Sequence, residues 1–458
     1  MIERMEMRLS PLVVASLAVF AVFLDTTVLF VAFPSIAATF PAVPTAELSW
    51  VLNAYTIVFA AALVPFGRLA DRWGHRATFL AGSIAFTLAS LLCAAAPTPG
   101  LLVAARVLQA AGGAALVPSS LALVMRATPR EKLPVALAVW GATGAVAGAV
   151  GPTLGAALIE ACGWRWVFAI NLPVGLVTVL LGRRRLAESR DPDSVLPAPL
   201  GVVLLVIAAV LITLALVLGE SWGWTSQRTA ATLVAGLATL AAFVIHQART
   251  RAPTIDLSLF AASNFRWANA ATLTFGAAFT AMFLASVLFL TAVWDWSILA
   301  AGFGVAPGPL LVAALSPRFG RLAARIGQRP LLIAGGLSFA LGGLWRLRML
   351  SAEVDYAVDY LPSMLLTGTG VALCLPQLSS VVGQALPANR LGVGGAVHQA
   401  LRQFAGTLGV ALAIGLTAGA SGPADALARF DRVWWVMIAG GLATALCSLP
   451  LRTGPARA

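Results

Sequence analysis

The chain has 458 residues, of which 60% are hydrophobic and 10% charged, and its formal net charge is +12. With a mean hydropathy of +0.91, it holds more apolar side chain than a soluble protein of this length has interior to hide, which excludes a water-soluble globular class and makes the bilayer the solvent. A membrane-spanning helix needs about 20 predominantly apolar residues. Runs of that length, broken by Pro, Gly and Arg clusters, predict spans at 11–33, 49–69, 78–97, 101–124, 134–158, 164–182, 198–218, 229–247, 267–291, 299–316, 330–350, 360–382, 392–418 and 433–451, fourteen in all. The run at 299–316 is the weakest, being short and holding Pro307 and Pro309.

The basic residues orient these spans. With the N-terminus inside, 22 of the 30 Lys and Arg residues fall in segments expected to be cytoplasmic. The expected outer loops hold six: Arg165, Arg228, Arg346, Arg348, Arg429 and Arg432. Arg106 and Arg402 remain within spans. This bias follows the positive-inside rule and predicts that both termini are cytoplasmic. The net charge therefore reports topology. Dispersed through short loops, it argues against a nucleic-acid partner. Met1 to Arg8 carries two acids and two arginines, unlike a cleaved leader. Cys93, Cys162, Cys374 and Cys447 show no paired spacing, so no metal site and no disulfide framework is expected, and no cofactor.

One decapeptide occurs twice. Residues 67–76 read GRLADRWGHR and residues 320–329 read GRLAARIGQR, identical at seven of ten positions. Each copy lies between two predicted spans, the first joining spans two and three, the second joining spans ten and eleven. If each half has six spans with this loop after its second, spans seven and eight are an inserted pair. The expected organisation is an N-terminal six-helix bundle at 1–182, linkers and inserted helices at 183–266, and a C-terminal six-helix bundle at 267–458. Related halves in a polytopic membrane protein are the mark of a secondary transporter, whose halves rock around a central site.

Six segments carry a family resemblance, in order along nearly the whole chain. They are LDTTVLFVAFP (24–34), the loop GRLADRWGHR, RVLQAAGGAALVPSS (106–120), GAVAGAVGPTLGAAL (144–158), GWRWVFAINLPVG (163–175) and GGAVHQALRQFAGTLGVAL (394–412). Together they resemble the major facilitator superfamily, and within it the fourteen-span drug:proton antiporter branch. The resemblance implies an all-α membrane fold of two six-helix bundles plus an inserted pair, and proton-coupled export by alternating access. It also implies a seal between the halves built on the Gly-Pro pair Gly151 and Pro152.

The residues themselves point the same way. Asp25 is the only acid placed well inside a span, roughly 21 Å from the inner face at 1.5 Å per residue. A carboxylate there costs several kcal/mol or takes up a proton, which makes it a proton-carrier candidate. A permanent hydrogen bond to a neighbouring helix is the competing reading. Arg106 is expected at a similar depth and is its natural partner, with Gln109 on the same helical face. Snorkelling to the outer interface is the alternative for Arg106. Gly144, Gly148, Gly151 and Gly155 make a small-residue ridge that allows close helix approach, with Pro152 as a kink. In the repeated loop, Gly67 and Gly74 permit tight turns, and Asp71 is expected to pair with Arg72, Arg76 or a helix N-terminus from the other half, latching the cytoplasmic side. Ala324 replaces Asp71 in the second copy, so the latch is expected to be asymmetric. His398 and Arg402 share a face, as do Gln399 and Gln403, and that face is expected to line a cavity. Asn53, Tyr55 and Trp140 are further candidates for contact with substrate.

Competing classes are testable on the same residues. A primary pump needs a phosphate-binding loop ending Gly-Lys-[Ser/Thr], and the sole lysine, Lys132, lies between Glu131 and Leu133. A membrane-embedded enzyme would cluster His, Cys or acids at catalytic depth, which three His and four scattered Cys do not do. A proton-driven importer shares the fold and Asp25. The first-span signature of the branch commonly has Asn where this chain has Phe30, and no second deep acid is visible. A neutral, zwitterionic or anionic amphiphile is therefore as well suited as a cationic drug. The expectation is a monomeric exporter of small amphiphilic molecules in a bacterial cytoplasmic membrane. A composition rich in Ala and Arg and poor in Lys suggests a GC-rich genome and self-resistance to a secreted metabolite.

Overall fold

The computed structural model describes residues 11–129, 133–190, 196–387, 390–419 and 423–454. Arg4, Arg8, Arg130, Lys132 and Arg457, which count toward the expected orientation, lie outside the described residues, as does the N-terminal segment. Among the described residues, fourteen helices are long and apolar enough to cross a bilayer. They are α1 (Pro11–Thr39), α2 (Thr45–Trp73), α3 (His75–Ala95), α4 (Pro99–Ala127), α5 (Val139–Cys162), α6 (Trp166–Arg185), α7 (Pro199–Trp222), α8 (Gln227–Arg249), α9 (Ser263–Ala292), α10 (Ile298–Ile326), α11 (Gln328–Met349), α12 (Tyr356–Gln384), α13 (Val393–Thr417) and α14 (Asp425–Ser448). The described residues form no strand.

Local chemistry sets the helix ends and quiets their interiors. Thr98 caps α4, its hydroxyl accepting from the Leu101 N–H at 3.4 Å, with Pro99 in the first turn. Ser297 does the same for α10, accepting from the Ala300 N–H at 3.1 Å. Inside the spans no water reaches polar side chains, so hydroxyls donate back to their own helix. Thr26 donates to the Val22 carbonyl at 3.0 Å, and Ser286 to the Met282 carbonyl at 2.6 Å.

Three expectations change. α14 begins at Asp425 rather than at 433, so Arg429 and Arg432 ride on the helix instead of an outer loop. The Arg429 guanidinium donates to Asp425 at 3.0 Å and to Glu220 of α7 at 2.8 Å, and a paired charge is tolerated on a helix end. Arg346 and Arg348 belong to α11, with Arg346 fully buried. The weakest span is real and longer than expected. It breaks at Ala306, restarts on Pro307 and runs to Ile326.

The repeated decapeptide is mostly helix. Gly67–Trp73 ends α2 and Gly320–Ile326 ends α10, and a single glycine reverses the chain in each copy. Gly74 and Gly327 have φ values of 119° and 84°, in the region that a β-carbon disfavours. The next helix starts on the following residue, and both starts are pinned from outside. In the first copy Glu188, beyond the end of α6, accepts from the Arg76 and Ala77 N–H groups at 3.0 Å each. In the second copy Thr453, beyond α14, accepts from the Arg329 N–H at 2.9 Å.

The chain forms two compact units. One comprises the residues up to Phe40, Trp50–Val203 and Thr250–Thr254; the other comprises Pro41–Ser49, Leu204–Arg249 and Ile255 onward. In the first unit the most extensive helix pairings are α1–α4, α1–α5, α1–α6, α2–α4, α3–α4 and α3–α6. In the second they are α9–α12, α9–α13, α9–α14, α10–α12, α11–α12 and α11–α14, the same set displaced by eight helices. Burial separates core from periphery. In the apolar stretch of α9, 72% of the residues are buried, against 17% in α8, which leaves α8 mostly facing lipid.

Two glycines of the second decapeptide should behave oppositely on replacement by alanine. At Gly327 a β-carbon would sit 2.8 Å from the Thr453 carbonyl oxygen on a strained backbone. Gly327→Ala should cost roughly 1–3 kcal/mol and lower the thermal midpoint of the purified protein in detergent. Gly320 lies within a helix with nothing within 4 Å of such a carbon. Gly320→Ala should leave the midpoint unchanged or raise it slightly.

Candidate functional site

Four helices of the first unit deliver one polar cluster. α1 brings Asp25, α3 brings Ser90, α4 brings Arg106 and Gln109, and α6 brings Asn171, all of them buried. Arg106 Nη1 lies 2.5 Å from Asp25 Oδ2. Gln109 Nε2 donates to Asp25 Oδ1 at 2.9 Å and Asn171 Nδ2 donates to the same oxygen at 3.0 Å. Both carboxylate oxygens are thus engaged by N–H donors, an arrangement that complements the ionised form. Arg106 Nε also donates to the Val51 carbonyl of α2 at 3.1 Å, and Nη1 to Gln109 Oε1 at 2.5 Å. Ser90 accepts from Gln109 at 2.8 Å and donates its own hydroxyl to the Phe86 carbonyl at 2.8 Å. The Tyr55 ring lies flat under the guanidinium, 3.9 Å from its carbon, and stacks on Phe59. Among the described residues Asp25 is the only fully buried carboxylate.

α1 carries a second contact surface one turn from Asp25. Thr27 donates to the Ala147 carbonyl of α5 at 3.3 Å. A β-carbon on Gly151 would fall 2.1 Å from Thr27 Oγ1, and one on Gly155 would fall 2.6 Å from Val28 Cγ1. A β-carbon on Gly144 would meet the Phe23 ring at 3.1 Å, whereas one on Gly148 would meet nothing within 4 Å. The glycine ridge is therefore a seat for α1 at three of its four positions. Pro152, inside α5, removes one backbone donor at the middle of this seat.

The second unit holds other sequence candidates. His398 Nδ1 lies 2.9 Å from Asn269 Oδ1 of α9, and His398 Nε2 lies 3.3 Å from Ser379 Oγ of α12. Asn269 donates its own amide to the Phe265 carbonyl, so its oxygen accepts from Nδ1–H. His398 thereby ties α13 to α9 and α12. Arg402 follows one turn on, and Gln399 has a buried Nε2 without a partner. The structure places Trp140 away from Asp25. Asn53 is fully buried two residues before Tyr55, on a different face of α2. Trp140 donates to Ser120 at 3.0 Å and packs beside Ala15, about 15 Å along α1 from Asp25.

The loop candidates divide as well. Asp71 Oδ1 lies 3.5 Å from His75 Nε2, one turn away, and Glu188 caps the N-terminus of α3 beside them. Arg76 donates to the Arg183 carbonyl at 2.9 Å, Arg72 is exposed, and Gly67 makes only ordinary contact with Pro118.

Sequence reasoning missed Asn171, Ser90, Glu188 and Arg346. Asn171 was visible as the lone amide in an apolar stretch of the sixth span. Arg346 counts with an outer loop in the charge bias although the span predicted at 330–350 contains it. Its guanidinium donates to Ser363 at 3.0 Å and Ser286 at 2.7 Å, and its carbon lies 4.8 Å from the Trp434 ring and 4.9 Å from the Tyr360 ring. Among the described residues no carboxylate pairs with it.

Comparison with known proteins places these features in a family. A sequence profile of the Major Facilitator Superfamily matches residues 15–410. The cephamycin export protein CmcT of Amycolatopsis lactamdurans is 35% identical over 427 residues, covering 92% of this chain and 87% of that protein. The multidrug resistance protein Stp of Mycobacterium tuberculosis is 33% identical over 406 residues, 88% of this chain and 75% of Stp. The multidrug export protein EmrB of Escherichia coli is 30% identical over 407 residues, 87% of this chain and 78% of EmrB. Among solved structures, a D-xylose–proton symporter matches with a TM-score of 0.70 over 96% of each chain at 15% identity, a likeness of fold.

Two measurements probe the cluster and its seat. Asn171→Leu deletes a donor to a buried carboxylate and should cost roughly 1.5–3 kcal/mol, read as a lower thermal midpoint. Gly151→Ala should cost roughly 1–3 kcal/mol by overpacking against Thr27, while Gly148→Ala, with no neighbour to meet, should be silent in the same melt.

Proposed function

The chain belongs to the Major Facilitator Superfamily, and on that footing we propose that it is a proton-coupled antiporter that exports small amphiphilic molecules across a bacterial cytoplasmic membrane. It is a multi-pass membrane protein of a transporter family. In this proposal it works as a monomer with both termini cytoplasmic, catalyses no chemical conversion, and alternates access between two six-helix bundles, at 1–182 and 267–458, flanking an inserted segment at 183–266.

The observation that carries the reading is the buried Asp25–Arg106 pair, 2.5 Å apart. A proton on Oδ2 would point at the guanidinium N–H, so protonation and the ion pair exclude each other. Proton binding therefore frees Arg106 toward the partners it already has, Gln109 Oε1 and the Val51 carbonyl. It also loosens α1, whose Thr27 and Val28 seat against Gly151 and Gly155 of α5. Asp25 and Arg106 are the coupling pair, Gln109 and Asn171 hold the ionised carboxylate in place, and the glycine seat passes the shift of α1 to α5. The relatives named as multidrug and cephamycin exporters support the direction of transport. Arg346 adds a buried positive charge without a carboxylate, which favours neutral, zwitterionic or anionic substrates over dications. Tyr55, His398, Gln399 and Arg402 are the side chains proposed to meet substrate, and the Asp71–His75 and Glu188 contacts steady the cytoplasmic end.

Substrate-triggered proton movement in everted vesicles tests this, with cationic, neutral and anionic amphiphiles compared side by side. Wild type should release protons on addition of substrate. Asp25→Asn should fold and insert normally yet show no proton release, with uphill efflux at background. Uphill efflux by Asp25→Asn would remove Asp25 from the coupling role.

A further inference from the structure

The two copies of the decapeptide differ in what balances their arginines. In the first, Arg68 and Arg76 are half-buried, Asp71 lies on the same helix, and Glu188 caps the next one. In the second, both acidic positions are lost. Ala324 stands where Asp71 would be, and the capping role of Glu188 falls to the uncharged Thr453. The result is an unbalanced basic face at the end of α10. Arg318, Arg321 and Arg325 follow at i, i+3 and i+7, so they share one side of the helix, and all three are exposed. With Leu322 they line a groove of about 200 Å³. The sole side-chain bond of Arg318 runs to the Ala314 carbonyl of its own helix. Among the described residues none of the three arginines forms an ion pair. Like charges one turn apart repel, and among the described residues no acidic side chain pairs with them.

We propose that this face of α10 binds the phosphate headgroup of an anionic phospholipid. Three guanidiniums supply fork-shaped donors matched to phosphate oxygens. Leu322 offers an apolar patch beside them, where the first carbons of the glycerol and acyl chains would lie. The face lies at the end of a membrane span on the side that the arginine bias assigns to the cytoplasm, where basic clusters meet lipid headgroups. The first copy cannot do the same, because Asp71 and Glu188 place negative charge among its arginines. One decapeptide thus closes a turn in both halves and recruits lipid in only one.

Lipid retention can be counted without reference to transport. Native mass spectrometry of the purified full chain, titrated with phosphatidylglycerol and separately with phosphatidylcholine, should show preferential retention of phosphatidylglycerol by wild type. The Arg318→Gln/Arg321→Gln/Arg325→Gln variant should weaken that retention roughly a hundredfold, as loss of three surface arginines implies. Ala324→Asp keeps every arginine, restores the acid of the first copy, and should weaken retention about fivefold. It tests the proposal even where the triple variant fails to fold. Equal retention of phosphatidylglycerol by wild type and Ala324→Asp would overturn the proposal. So would thermal protection by millimolar inorganic phosphate that matches the protection by phosphatidylglycerol, since the groove would then take a free anion and not a lipid.

Discussion

A carboxylate inside a bilayer-thick bundle is stable only if the protein replaces its water, and that constraint organises the first half of this molecule. Asp25 is surrounded by three nitrogen donors from two other helices, and its cationic partner is itself satisfied by Gln109 and by a backbone carbonyl of α2. Leaving any one of these groups unpaired would cost several kcal/mol in such a setting. Five helices are therefore held in register by one charge pair and its supports. The same constraint explains why Tyr55 lies under Arg106: an aromatic face is the remaining way to stabilise a guanidinium away from water.

The seat between α1 and α5 follows from the position of that charge. α1 must approach α5 closely while its other face feeds Asp25 into the cluster, and only small residues allow both. Thr27 against Gly151 and Val28 against Gly155 leave no room for a β-carbon. In the proposed mechanism, this pairing of Asp25 on one face with a close-packed seam on another is what would turn a change of charge into a change of packing.

The second half repeats the helix pairings but not the chemistry. Its fully buried cation, Arg346, is held by two serine hydroxyls and two aromatic rings instead of a carboxylate. Both hydroxyls donate to helix carbonyls, Ser363 to Tyr360 and Ser286 to Met282, and so present lone pairs to the guanidinium. His398 is likewise bound through neutral partners on α9 and α12. The halves share helix pairings and differ in their buried polar groups, with an ion pair in one and a guanidinium held by neutral partners in the other.

Much of this was determined by the sequence alone. Fourteen apolar runs of spanning length, the repeated decapeptide and the isolated acid at position 25 are local patterns, and the bilayer converts each of them directly into helices, turns and a candidate proton site. Arg106 and Gln109 were legible as partners because their spacing puts them on one face. What the tertiary structure decided concerns groups whose role depends on a distant segment. Asn171 and Ser90 join Asp25 only once α3 and α6 pack on α1 and α4. Glu188 caps α3 from more than a hundred residues away. Arg346 reads as an arginine near a span end, and only the packing of α9, α12 and α14 around it shows a buried charge rather than a loop anchor. Periodicity along one helix is written in consecutive residues, whereas partner choice between helices depends on crossing positions that no local pattern encodes.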